Sequence, residues 1–342
     1  MKNLNTDLLS DLTIILVIRD RVDFTNRWLS YYKRNFPYVK VIIADGSNER
    51  LFTKSQEQNL SKNLQYLYNG PDNDIPIMIR KIRKAISLVK SEFVLLASDD
   101  DFYLLSGIIN SLKFLKENVE WHASMGVVRD FAIKNPCESP DFVYGKVRFG
   151  DELYKSSSIN EPLPLNRIIH FLSINDSFWH AVYRTESLLK VYCTAEEADI
   201  KSYYHYELFV NIKSSEIGKL YRNHESLFML HQVHPQTEAN KLNTIDERNV
   251  KFQGEMDSFL GKTLRSLENY EDVPTFENIQ KIRQELTSGN ESSTLRSILE
   301  RLKFKYAHLK LIAIINHLDP FTARIYRNKE VRSIIQFLKR TK

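Results

Sequence analysis

The sequence predicts an α/β protein built on a mostly parallel sheet flanked by helices. Two observations carry this. Short apolar runs rich in β-forming residues, "TIILVI" (13–18), "VKVIIA" (39–44) and "FVLLA" (93–97), are spaced along the first 120 residues. Between them lie stretches with helical periodicity, and such alternation lays helices on the faces of a parallel sheet. The 342 residues suffice for a sizeable core in one large domain or two.

Taken in order, "FTNRWLSYYKRNF" (24–36) reads as the helix joining the first two strands. "LQYLY" (64–68) is a third strand. Asp74 is the expected cap of the next helix, with Pro76 in its first turn. On that helix Ile75, Met78, Ile82, Ala85, Ile86 and Val89 should face the sheet, with Arg80, Arg83 and Lys84 on the other side. "FVLLA" is the next strand and "LLSGIINSLKFLKEN" (104–118) the next helix. Residues 123–133 suggest a strand pair, and 134–165, rich in proline, a long loop or small insertion. Helices are expected at 166–172, 185–192 and 202–215, and strands near "LYRN" and at 226–237. From about 246 the chain reads as helical and charged. These patterns divide it into 1–245 and a helical C-terminal region, 246–342.

Charge is unevenly spread. Residues 301–342 hold eleven Lys/Arg against two acids, net +9, which leaves the other 300 residues at net −4. A basic tail suits an anionic surface such as lipid headgroups, and "LERLKFKYAHLKLIAIINHL" reads as an interfacial helix or as one packed on protein, including a second subunit. No apolar run approaches the ~20 residues of a membrane span, and the N-terminus lacks a signal-peptide pattern. The two cysteines, Cys137 and Cys193, form no metal motif. The expectation is a cytoplasmic protein, free or peripheral at the inner face of the membrane.

"EFVLLASDDDF" (92–102) concentrates Asp99, Asp100 and Asp101 at the end of a buried strand. Adjacent carboxylates repel unless a cation or water separates them. At the carboxyl rim of a parallel sheet, where ligands collect, they suit a hard divalent ion that also holds phosphate. A first strand ending in "RDR", a second in "ADGS" and a later one in "SDDD" together resemble the GT-A fold of nucleotide-sugar glycosyltransferases, family-2 type, over roughly residues 12–237.

The resemblance implies a metal-dependent, inverting transferase of surface-polysaccharide type. It would use a nucleotide-sugar donor, Mn²⁺ or Mg²⁺, and a glycan or lipid-linked acceptor. Asp101 would bind metal with Asp99, and Asp100 is the alternative, since a triple aspartate leaves the register open. Asp45 and Arg21 would touch the nucleoside side, and Arg80 and Lys84 the diphosphate. Val17 and Ile18 before Arg21, and Ala44 before Asp45, depart from the usual pattern and leave the nucleotide unspecified. Glu207 takes the place of the catalytic base, with Asp199 as rival. His234, rather than His231, would complete the metal shell. Asp176, Trp179 and Arg184 would line the acceptor side. The rival readings are a sugar nucleotidyltransferase, whose Gly-rich first loop is missing from "VIRDRVDF", and a non-catalytic membrane-surface protein, which leaves the aspartates unexplained. No nucleic-acid partner is expected.

Overall fold

The computed structural model describes residues 7–134, 142–154, 156–174, 176–234 and 325–339. The elements run β1 (Leu12–Ile18), α1 (Val22–Asn35), β2 (Lys40–Asp45), α2 (Lys54–Gln58), β3 (Leu64–Tyr68), α3 (Ile75–Ser87), β4 (Phe93–Ser98), β5 (Phe102–Tyr103) and α4 (Leu105–Glu117). They continue with β6 (Trp121–Lys134), β7 (Lys146–Leu153), α5 (Pro164–Ile174), β8 (Val182–Arg184), α6 (Thr185–Glu197), α7 (Tyr203–Ile217), β9 (Lys219–Gln232) and α8 (Lys329–Leu338).

All nine strands join one sheet, ordered β3-β2-β1-β4-β8-β6-β9-β5, with β7 paired to β6. β3, β2, β1 and β4 are parallel. β8 is antiparallel to β4 and β6, and β6 and β9 are again parallel. Six strands therefore share one direction and three, β5, β7 and β8, oppose it. The expected helix-flanked, mostly parallel sheet is what forms. β1 and β4 are buried almost throughout, as befits strands covered on both faces.

The N-terminal half follows the sequence pattern closely. Asp74 caps α3, its carboxylate accepting from the Ile77 N–H at 2.8 Å, and Ile79, Ile82, Ala85 and Ile86 are buried. Further on, three expectations are corrected or narrowed. The strand pair at 123–133 is one continuous strand, β6, whose register shifts beside Ala123 and Val127; bulges break the alternation that marks a single strand. The long loop or small insertion expected at 134–165 contains β7, which favours the insertion, and Val147 and Phe149 point inward from one face of it. "LYRN" and 226–232 belong to the single strand β9. β5 and β8 are two and three residues long, too short to leave a pattern.

The expected helices between 246 and 324, and the basic helix at 301–320, lie outside the described residues. The last helix, α8, is described. Asn328 caps it, and Val331, Ile334, Ile335 and Leu338 are buried in the same apolar core as the sheet. Its Phe337 meets Phe102 and Tyr31. Among the described residues, no helix is long and apolar enough to cross a membrane.

Truncating Ile334, which is 1% exposed, to alanine should cost about 2–5 kcal/mol through lost burial and the cavity left behind. Urea unfolding of Ile334→Ala measures it. A variant as stable as the parent would show that α8 does not belong to the folding core.

Candidate active site

Chain order along the sheet reverses at β1, which lies between β2 and β4. In an open α/β sheet a crevice opens beyond the strand ends at such a switch point. The turn after β1 carries Arg21, and the turn after β4 carries the three aspartates. They meet there, and the aspartates are buried, with 5% exposure at most.

The three carboxylates fan apart and find different partners. Arg21 pairs with Asp99 through Nη2 and with Asp100 through Nη1, the latter at 2.9 Å. Thr25 Oγ1 donates to Asp99 Oδ2 at 3.0 Å. His234 Nε2 lies 3.0 Å from Asp100 Oδ2, its ring stacked on Phe24. Asp101 turns the other way. Its Oδ1 accepts from His231 Nδ1 at 2.9 Å and from the Gln232 N–H at 3.3 Å. Its Oδ2 is buried without a hydrogen-bond partner, and His180 Nε2 stands 3.7 Å away. Ligand atoms of Asp101, His180 and His231 lie within 4.8 Å of one another.

Electrostatics follow from these contacts. Burial raises the Asp99 carboxyl to about 6, and Arg21 only partly offsets it. Burial also opposes ionisation of Asp100, but Arg21 and His234 outweigh it and hold that carboxyl well below the usual range. Burial works against a charged His231 too, yet the charge and hydrogen bond of Asp101 push its ring up to about 9. Burial lowers His180 to about 4, against the pull of Asp101, so its ring is neutral. Glu207, near the start of α7, is raised by burial, with Tyr203 and His231 pulling the other way. Tyr154 couples electrically to both Glu207 and Asp101. Glu207 thus feels the charge of His231, the histidine paired with Asp101.

The side expected to hold a nucleoside is built from tight turns. Asp45 is fully buried, and its carboxylate accepts from the Ser47 and Leu51 N–H groups and from the Tyr66 hydroxyl, at 2.8, 3.1 and 2.5 Å. It holds the turn rather than presenting a free edge. Asp20, at φ 52°, ties the β1 loop to the β2 loop through Asn48. Behind them lies a buried ion pair, Asp72 with Lys81. A Cβ on Gly46 would overlap the Asp72 carboxylate, so only glycine fits there.

Several expected site residues lie elsewhere. Arg184 is a correction. It pairs in register with Phe93, at the start of β4, roughly 20 Å from the aspartates at ~3.3 Å per residue. There it donates to the carbonyls of Trp121, Leu115 and Asn118 and to Glu92. Arg80 and Lys84 are exposed on the outer face of α3, Lys84 held by Asn69. The buried cation of that helix is Lys81, which also donates to the Ile18 carbonyl at 3.2 Å. Asp199 is exposed in a turn at φ 52° beside Lys201. Trp179 is a packed residue. Its indole donates to the Tyr206 hydroxyl at 2.8 Å and its ring abuts His180. Asp176 accepts from the Ser156 N–H at 2.8 Å. His234 sits on Asp100, and the imidazoles gathered at Asp101 are His231 and His180.

His180, Tyr103, Tyr154 and the Asp72–Lys81 pair have no signature of their own in the sequence. Lys81 gave one faint signal, a cation among the apolar positions of an amphipathic helix. Asp130, raised by burial to about 6 and coupled to His231 and Asp101, reads as an ordinary strand residue.

No protein-family model matches this chain, and no curated protein matches it by sequence. Among solved structures it is similar to S. aureus TarS 1-349, at 15% identity and TM-score 0.47, over 81% of this chain and 71% of that one. The complex of that protein with UDP gives 16% identity and TM-score 0.49. The complex with UDP-GlcNAc gives 15% and 0.48, with the same coverage.

Replacing Arg21 with methionine leaves two buried, adjacent carboxylates without their cation. Such a loss costs about 3–5 kcal/mol. Losing Arg21 raises both folded-state pKa values relative to the parent, so the deficit is full at high pH and shrinks as acid protonates the carboxyls. Unfolding Arg21→Met and the parent at pH 7.5 and pH 5 should show the gap narrowing at the lower pH. An equal gap at both would contradict the charge assignment.

Proposed function

We propose that this protein is a metal-assisted glycosyltransferase. It moves a sugar from a nucleotide-sugar donor to a hydroxyl of a glycan or lipid-linked acceptor, with inversion at the sugar carbon and in the service of surface-polysaccharide synthesis. The observation that carries the reading is Asp101. Its unpartnered buried oxygen faces two imidazoles at the sheet's switch point, beside a glutamate whose pKa burial has raised.

A buried carboxylate oxygen without a donor, next to ring nitrogens, fits a divalent cation. Asp101 and His231 would hold Mn²⁺ or Mg²⁺, which when bound would act as a Lewis acid on the donor's diphosphate. Arg21 fixes Asp99 and Asp100, so that the rim keeps its shape when the anionic donor arrives. The Asp45 turn and the Gly46–Asp72 contact bound the side where a nucleoside would sit. Glu207 is the base. Its raised pKa makes it a better proton acceptor for the acceptor hydroxyl than an exposed carboxylate would be. In a single displacement the hydroxyl oxygen bonds to the sugar carbon as the bond to the diphosphate breaks, and Glu207 takes the hydroxyl proton.

Exposed Arg327, Lys329, Arg332 and Lys339, on and beside α8, support a peripheral position on an anionic membrane, where a lipid-linked acceptor would be presented.

Glu207→Gln should bind donor normally and lose ~10²–10⁴-fold in kcat. Asp101→Ala should lose transfer and metal-dependent donor binding while its circular dichroism stays unchanged. Turnover assays with a panel of nucleotide sugars, alongside donor titrations, test both. Full activity in either variant, or in EDTA, refutes the corresponding assignment.

A further inference from the structure

We propose that His180 is a ligand of the metal, and that Asp101, His231 and His180 select a first-row transition ion over Mg²⁺. The inference deepens the transferase reading by naming the ion class and a ligand the sequence pattern does not mark.

Asp101 is 0% exposed, and its Oδ2 has no donor. A buried acceptor left so costs about 1–3 kcal/mol, more when charged. His180 Nε2 stands 3.7 Å from it. What that nitrogen presents depends on the other side of the ring. The Tyr103 hydroxyl lies 2.9 Å from His180 Nδ1 and 3.1 Å from the Leu96 carbonyl. A carbonyl can only accept. The assignment that gives each contact a hydrogen sends the hydroxyl proton to Leu96, so His180 Nδ1–H donates to the Tyr103 oxygen. In that tautomer Nε2 turns its lone pair toward Asp101 Oδ2. Two acceptors face each other with no hydrogen between them, and a cation resolves that contact.

His231 would supply the third ligand from β9, releasing a ring proton as the ion binds, and the three ligand atoms lie within 4.8 Å of one another. Ligand atoms on one ion are at most about 4.2 Å apart, twice a ~2.1 Å bond. Small side-chain shifts are enough to close the site. Trp179 braces the His180 ring edge-to-face at 4.6 Å, and Tyr103 plays the orienting part that metal-bound histidines ordinarily receive from an outer partner.

The donor set decides the ion. Mg²⁺ takes oxygen ligands, and the oxygens of Asp99 and Asp100 are committed to Arg21, Thr25 and His234. Two imidazoles with one carboxylate favour ions such as Mn²⁺, Co²⁺ or Zn²⁺.

Calorimetry on the metal-stripped full chain, without nucleotide, should find Co²⁺ and Mn²⁺ binding at least ~10-fold more tightly than Mg²⁺. His180→Gln should lose at least ~10-fold in Co²⁺ affinity, and Tyr103→Phe ~10-fold or more. Because a variant can misfold, the parent chain gives an independent readout: histidine ¹⁵N spectra, with Zn²⁺ added, should move the His180 Nε2 resonance while Nδ1 keeps its proton. Mg²⁺ binding as tightly as Co²⁺, unchanged Co²⁺ affinity in His180→Gln, or an unmoved His180 resonance would overturn the proposal. Selective metal binding without turnover of any nucleotide sugar would uphold the site and refute the transferase reading.

Discussion

Three aspartates in a row at the end of a buried strand can exist only if their charges are separated and answered. Arg21 does most of this. One guanidinium engages Asp99 and Asp100 together, which commits both to the first helix and leaves Asp101 to face the opposite way. The rim's division into a half engaged by Arg21 and a half with an unmatched oxygen follows from that single contact. Without it, repulsion between neighbouring carboxylates would protonate them or drive the turn apart.

The same helix braces the turn from beneath. Arg27, almost fully buried, donates to the Asp100 carbonyl, to Gln232 Oε1 and to the Val143 carbonyl. The Tyr31 hydroxyl donates to the Tyr103 carbonyl at 2.8 Å. Between these contacts Phe102 is packed by Tyr31, Phe131 and Phe337 and lies under the Arg27 guanidinium. The residue following Asp101 is therefore fixed by α1, β6 and α8 at once. This ties a C-terminal helix to the geometry of a site more than 200 residues earlier, and it gives the aspartates a rigid base on which small differences in ligand position can matter.

Much of this was readable in advance where local pattern and local chemistry agree. The βα alternation up to 118, the Asp74 cap and the placing of the acidic turn at the strand rim all rest on short-range periodicity. What escaped rests on long-range pairing. β8 carries too few residues for a pattern, yet its antiparallel pairing with β4 delivers His180 to Asp101 and removes Arg184 to the far end of the strand. Bulges in β6 disguised one strand as two. Asp45 looked like a ligand-facing acid because its carboxylate partners, Tyr66 above all, lie on another strand. His231 and His234 are three residues apart and both inward, but they serve different aspartates; only the course of β9 beyond the sheet separates their roles.

The proposed function requires that the rim formed by Arg21, Asp99–Asp101, His180 and His231 take a nucleotide with a metal ion. Thermal shift of the full chain against UDP, GDP, CDP and TDP, each with Mn²⁺ and with EDTA, addresses it most directly. One nucleotide at 100 times its Kd should stabilise the fold by about 2.7 kcal/mol, in the presence of Mn²⁺ and not in EDTA. A melting temperature that no nucleotide moves, or one that moves equally with and without the metal, would contradict the account.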